Sequence, residues 1–200
     1  MEKIALYRKY ILAGIYEKWH KKDLTHFVNS DKAVKHISGY FDKLEQQGFG
    51  ALDGRGIIMV GNNGVGKSLL LNLSFMHLVQ KKHKVSVLQF ADLVSLYAKS
   101  FGGDVKLNEL IRKPFLAIDD VGKGFEGSAT SKELVVAAFD KVIRYRTQRL
   151  LPTWFTTNLP LSDFKTEYSP SIASLMQEVG DVLKFGGKDI RTDFFCIKDV

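Results

Sequence analysis

The chain has 200 residues, 45% of them apolar, with 29 Lys and Arg against 22 Asp and Glu for a net charge of +7. That length fits one domain with a sizeable core, or one domain plus a small appendage. The sequence has no uncharged apolar run able to span a bilayer, and Met1-Glu2-Lys3-Ile4 lacks the layout of a secretory signal. Cys196 is the single cysteine, which excludes an internal disulfide and a cysteine-rich zinc site. Together these point to the cytoplasm and to no membrane partner. The basic balance suits a polyanion such as nucleic acid, and equally an ordinary solvated surface, because the charges are dispersed.

Taken in order, Ile4, Tyr7, Ile11, Leu12, Ile15 and Trp19 recur at helical spacing and predict an amphipathic helix over Glu2–His20. A second helix is expected over Ser30–Gln47, capped by Ser30 or Asp31, with Val34, Ile37, Tyr40, Phe41 and Leu44 on one face. A glycine-rich connection over 48–56 leads into an apolar strand, a glycine loop and the apolar helix Leu69–Val79. Val85–Phe90 reads as the next strand, followed by a helix from Asp92 to Ser100 and a short segment over Lys106–Arg112. Pro114–Ile118 is a continuous apolar strand, as expected where both faces are buried, and it ends in Asp119-Asp120. Val121–Thr130 reads as a mobile glycine-rich loop. Ser131–Gln148 then reads as a helix with Leu134, Ala137, Ala138, Val142 and Ile143 inward. Pro152–Thr157 is another buried strand with Asn158 at its end. A helix over Ser169–Val179, a strand over Asp181–Phe185 and a further strand over Phe194–Lys198 close the chain. Strands alternating with helices indicate an α/β fold with a parallel sheet covered on both faces.

Gly61, Gly66, Lys67 and Ser68 fill all four fixed places of G-x-x-x-x-G-K-[ST]. Glycines let backbone N–H groups turn inward around phosphate oxygens, and the helix that follows points its positive end at the same anion. The loop Gly61, Asn62, Asn63, Gly64, Val65, Gly66, Lys67, Ser68 and Leu69 is therefore the expected nucleotide site, with Lys67 on the β- and γ-phosphates and Ser68 on Mg²⁺. Other groups should converge on it at the C-terminal edge of the sheet. Asp119 is expected to hold Mg²⁺, Asp120 to orient or deprotonate the attacking water, and Asn158 to hold that water or touch the γ-phosphate. Phosphoryl transfer commonly needs a further cation. The supply is Arg144, Arg146, Arg149 and Arg191, and the sequence does not choose among them.

At this level of detail the chain resembles the AAA+ ATPases of the DnaC/DnaI helicase-loader and IstB transposition-helper group. Gly61–Ser68 matches Walker A, and Ala91-Asp92-Leu93 matches the entry to the following helix. Phe115–Asp120 with Val121-Gly122 behind it matches Walker B. Ile143-Arg144-Tyr145-Arg146 and Leu151–Leu159 match the group's sensor-1 region. Ser174-Leu175-Met176 and Gly187-Lys188-Asp189-Ile190-Arg191 sit where its last helix and strand belong. The likeness runs over Gly14–Arg191. It implies an α/β P-loop NTPase with an AAA+ core, central strand order 5-1-4-3-2, and no separate helical lid. The corresponding division is an N-terminal helical extension over residues 1–54 and a core over 55–200.

The resemblance implies an ATPase using ATP and Mg²⁺ in DNA replication, one that binds single-stranded DNA and a replicative hexameric helicase and is able to self-assemble. Its small size suits a phage or another mobile element. The N-terminal helix over 4–19 is the expected helicase contact. Lys99, Phe101, Lys106, Lys123 and Phe125 are the expected DNA contacts, through phosphate neutralisation and base stacking. Two alternatives are a transposition helper, and an ATP-binding adaptor with little hydrolysis. One departure bears on rate. The group often has an arginine finger directly before the Leu of the last helix, and this chain has Ser174 there. The finger would then come from Arg144, Arg146 or Arg191, or hydrolysis would be weak or partner-dependent.

Overall fold

The computed structural model describes residues 2–24, 27, 30–100, 106–122 and 129–187. Its centre is a parallel five-stranded sheet of β1 (Gly56–Gly61), β2 (Val85–Gln89), β3 (Phe115–Val121), β4 (Thr153–Thr157) and β5 (Gly180–Phe185). Their spatial order is β2-β3-β4-β1-β5, the expected 5-1-4-3-2 read from the other edge. The strands are apolar runs because both faces of the sheet are covered. Successive side chains alternate between two cores. Ile57, Met59, Val87, Phe115, Ala117 and Trp154 face one core. Ile58, Leu88, Leu116, Ile118 and Phe155 face the other.

The first core is closed by α3 (Lys67–Gln80), α2 (Asp31–Gln47) and the N-terminal segment. Helix α3 is buried almost all round, as its lack of a polar face requires. Ser30 caps α2, its hydroxyl accepting from the Ala33 N–H at 3.2 Å, and Ala33, Ile37, Phe41 and Leu44 are buried. The second core is closed by α4 (Phe90–Ser100), α5 (Lys106–Ile111), α6 (Ala129–Thr147), α7 (Phe164–Glu167) and α8 (Pro170–Val179).

Three expectations are corrected. The N-terminal helix is not continuous to His20: α1 spans Glu2–Leu12, and the chain then turns at Gly14, with φ +83°, into a short 3-10 turn over Glu17–Trp19. The Ala13 carbonyl accepts from the Val87 N–H at 2.7 Å, so this segment caps the outer edge of β2. Its inward side chains are Tyr10 and Ile15, whereas Ile4, Ile11 and Leu12 are 69%, 53% and 87% exposed. In α6 the inward face is Val135, Ala138, Phe139, Val142 and Ile143, with Leu134 and Ala137 only half-buried. Phe139 sets this rotation, because its ring packs against Phe90, Phe155 and Tyr168. The strand expected from Pro114 and ending in Asp119-Asp120 runs from Phe115 to Val121. Most of the loop expected over Val121–Thr130, and the strand expected over Phe194–Lys198, lie outside the described residues.

Candidate nucleotide-binding site

The glycine loop sits between the C-terminal end of β1 and the start of α3. Gly64 and Gly66 take φ values of +75° and +92°, which a side chain would oppose. Val65 anchors the loop tip by complete burial, and Leu69 fixes the first turn of α3 in the core. Asn62 and Asn63 are exposed at the rim. Lys67 is 5% exposed, and its ammonium donates to the Gly61 carbonyl at 2.7 Å, the Asn62 carbonyl at 2.6 Å and Asn158 Oδ1 at 2.7 Å. Three acceptors match the three donors of an ammonium and hold it inside the loop. Asn158 also donates from Nδ2 to Asn63 Oδ1 at 2.7 Å, so the end of β4 clasps both the lysine and the loop rim.

The acidic pair is shaped by an irregularity in the sheet. Ile118 pairs with Phe155 and Val121 with Thr157, so β3 has one residue more than β4 over this stretch. Asp120 absorbs it in the left-handed region, at φ +62°. Bulges re-aim side chains next to sites of this kind. Asp119 stays buried, 2% exposed, with its Oδ1 accepting from Ser68 Oγ at 2.9 Å and from Thr156 Oγ1 at 2.5 Å. Its Oδ2 accepts from Gln89 Nε2 at 3.4 Å. Thr156 Oγ1 in turn accepts from the Asp120 N–H at 2.8 Å, locking the bulge.

Ser68 and Asp119 fit Mg²⁺. Both offer hard oxygens, they touch each other, and a buried carboxylate that accepts from hydroxyl and amide donors is suited to a divalent cation. Among the described residues no group of three or more His, Cys, Asp or Glu forms a metal cage. That agrees with an ion shared between one carboxylate and nucleotide phosphates. Ser68 and Asp119 would hold such an ion, which would supply positive charge against the charge that develops on the phosphates.

Sequence reasoning missed Thr156, Gln89 and Tyr16. Thr156 is fully buried and joins both acids, and only its place beside Asn158 hinted at this. Gln89 reaches Asp119 because β2 pairs with β3 in the register Gln89↔Asp119. Tyr16 comes from the N-terminal turn. Burial pushes its phenol up, the Gln89 amide opposes the shift, and Asp119, Asp92 and Asp120 push it further up. No spacing rule connects Tyr16 to the acids.

The arginines separate clearly. Arg146 is fully buried, donating to the carbonyls of Ile111 at 2.6 Å, Lys113 at 2.8 Å, Pro114 at 3.1 Å and Pro152 at 2.7 Å, and to Thr153 Oγ1 at 2.8 Å. It is a structural staple at the N-terminal ends of β3 and β4, which corrects its place among the finger candidates. Burial pushes its guanidinium down to about 9, still charged at neutral pH. Arg144 is half-exposed, donating from Nε to Asp140 Oδ2 at 2.9 Å and from Nη2 to Ser171 Oγ on α8. Arg149 lies on the Tyr145 ring, 3.9 Å from its centroid. Arg191 lies outside the described residues. Of the expected DNA contacts, Lys99 and Lys106 line one groove of about 340 Å³ beside Ile11 and Leu12. Phe101, Lys123 and Phe125 lie outside the described residues.

This sheet order with a glycine loop after β1, acids at the end of β3 and Asn158 at the end of β4 matches an AAA+ P-loop NTPase fold. No family model matches the chain. It is 24% identical over 148 residues to the replicative helicase loader DnaI of Bacillus subtilis (strain 168), a match covering 72% of this chain and 45% of that protein. The chain thus spans less than half the length of that curated relative. The structure of the DnaC helicase loader aligns with a TM-score of 0.68 at 21% identity, covering 86% of this chain and 100% of that one. The replication initiator DnaA, bound to AMPPCP and single-stranded DNA, aligns with a TM-score of 0.65 at 17% identity, covering 87% and 51%. The chain has a DnaC/DnaI-like AAA+ fold. Among the described residues no helix is long and apolar enough to cross a membrane.

Proposed function

We propose that this chain is an ATP-binding helicase loader of DNA replication, a weak or partner-dependent ATPase that engages single-stranded DNA and a replicative hexameric helicase. The observation that carries this reading is the joined site in which Lys67, Ser68, Asp119 and Asn158 meet on a sheet that superposes along the whole DnaC structure. Lys67 and Asn158 would meet the γ-phosphate, Ser68 and Asp119 would share Mg²⁺, and Asp120 would orient water. Likeness to a DnaA structure bound to AMPPCP and single-stranded DNA supports both ligands. The helicase would dock on α1, where Ile4, Ile11 and Leu12 stand exposed. Lys99 and Lys106, together with Phe101, Lys123 and Phe125, would contact DNA.

With Arg146 committed to the core, Arg144 is the described arginine best placed to act on a neighbouring subunit. It bonds Ser171, one helical turn from Ser174, the position where the resembling group carries its finger. Removing a finger costs roughly a thousand-fold or more in rate. The isolated chain should therefore turn over ATP slowly, and faster with single-stranded DNA and the helicase. Turnover measured against protein concentration, alone and with both partners, alongside co-elution with the helicase, tests this. Brisk, concentration-independent turnover without partners would contradict the partner-dependent reading. Binding to duplex DNA and a transposase instead of the helicase would favour the transposition helper.

A further inference from the structure

A second pocket of about 340 Å³ lies beside α2, at the N-terminal ends of β1 and β5. The glycine loop is at the opposite end of β1, about 20 Å away at the rise of a six-residue strand, so this pocket is separate from the nucleotide site. Its back wall is fixed by side-chain bonds. Tyr40 donates from its hydroxyl to the Arg55 carbonyl at 2.8 Å. Arg55 donates from Nη2 to Asp181 Oδ1 at 2.8 Å and from Nη1 to the Gln177 carbonyl at 3.1 Å. His36 Nε2 lies 3.1 Å from the other carboxylate oxygen of Asp181. The acid lining the pocket is thereby shared by two basic groups. Those bonds use two of the five N–H donors of Arg55, and its side chain remains 44% exposed.

The mouth of the pocket is formed by Lys35, Gly39 and Lys43. They follow at four-residue steps on α2 and share one face, with the lysines about 12 Å apart along the helix. Among the described residues neither lysine has an ion pair. Gly39 sits mid-helix in ordinary helical backbone and is exposed. A Cβ built there would meet no heavy atom within 4 Å among the described residues. Glycine weakens a helix interior, so neither packing nor backbone conformation accounts for it at this position. What the missing side chain does is leave the pocket open between the two lysines.

We infer that this pocket is a phosphate site for the backbone of single-stranded DNA: Lys35 and Lys43 meet phosphates on either side of Gly39, and Arg55, braced by Asp181, meets one at the back wall. This rests on the reading of the chain as a DNA-binding loader, and it adds a contact surface at the end of the sheet opposite the nucleotide. Three cations against one acid already shared between two bases suit a phosphodiester chain, and binding is driven by release of its counterions. The planar fork of Arg55 suits phosphate oxygens. A pocket of this size admits phosphates and sugars rather than the flat face of a protein, and the chain's net charge of +7 attracts the same partner.

The test is fluorescence anisotropy of a labelled oligothymidylate strand with the full chain, at several salt concentrations, for the parent, the double variant Lys35→Gln/Lys43→Gln, and Gly39→Leu. The lysine double variant should bind about tenfold more weakly. Its slope of log affinity against log salt should be shallower by about 1.4, since each single-strand phosphate contact contributes about 0.7. Gly39→Leu leaves the charge unchanged and fills the opening. It should also bind about tenfold more weakly, while melting slightly above the parent because leucine favours helix. Diffuse attraction to a basic surface would spare this variant. Mg-ATP binding should stay at the parent's level in both. Parent-like affinity in Gly39→Leu, or an unchanged salt slope in the lysine double variant, is the pattern of a pocket that takes at most a free phosphate. Either would overturn the inference while leaving the loader reading intact. A parent that binds no single-stranded DNA would overturn both.

Discussion

Arg146 is the residue whose role changes most between sequence and structure. Its side chain ties Ile111, Lys113, Pro114, Pro152 and Thr153 together, so it holds the start of β3 to the start of β4. Replacing it by Met keeps the volume but removes the donor from the carbonyls of Ile111, Lys113 and Pro114, while that of Pro152 still accepts from the Leu116 N–H at 3.4 Å. Each such orphan costs about 1–3 kcal/mol, and urea denaturation should show Arg146→Met destabilised by at least about 3 kcal/mol. A variant as stable as the parent would show that the staple is dispensable. A signal for this role was present in the sequence. Arg144 and Arg146 are two apart on α6, and residues at that spacing do not share a helix face. One of the two had to point away from any neighbour the other addressed. What the spacing left open was which one, since that depends on the rotation of α6 set by Phe139 against Phe90, Phe155 and Tyr168.

At the scale of elements, the strands were legible because burial on both faces imposes a run of apolar residues that no surface helix shares. The bulge at Asp119-Asp120 was not, since Asp120 adopts φ +62° only to reconcile β3 with the register of β4. The N-terminal segment misled for a related reason. Its apolar spacing suits a long helix, but capping the β2 edge requires a turn, and Gly14 supplies it at φ +83°. Ala at this position would face both the left-handed backbone and a clash with the Val87 carbonyl. Gly14→Ala should lower stability by more than about 2 kcal/mol and speed amide exchange of Val87, whose N–H is bonded to Ala13. Unaltered exchange at Val87 would mean that the segment is not anchored there.

For the whole molecule, alternation of strand and helix gave a parallel sheet from physics alone, but the strand order came from resemblance, because periodicity does not say which strands are neighbours. The order matters to function. It places β1 between β4 and β5, and β3 between β2 and β4, so that the glycine loop, the acids and Asn158 share one edge. Residues distant in sequence, Lys67 and Asn158 among them, become hydrogen-bonded partners there. That convergence is what a triphosphate site needs, and Lys67 would be the pivotal cation of such a site. Equilibrium binding of Mg-ATP to the parent and to Lys67→Ala decides whether it is one. A hydrogen bond to a charged group is worth about 1.5–3 kcal/mol, so Lys67→Ala should bind Mg-ATP about 10–100-fold more weakly than the parent while keeping its fold by circular dichroism. Equal affinity in the two proteins would contradict the assignment of this loop as the phosphate cradle.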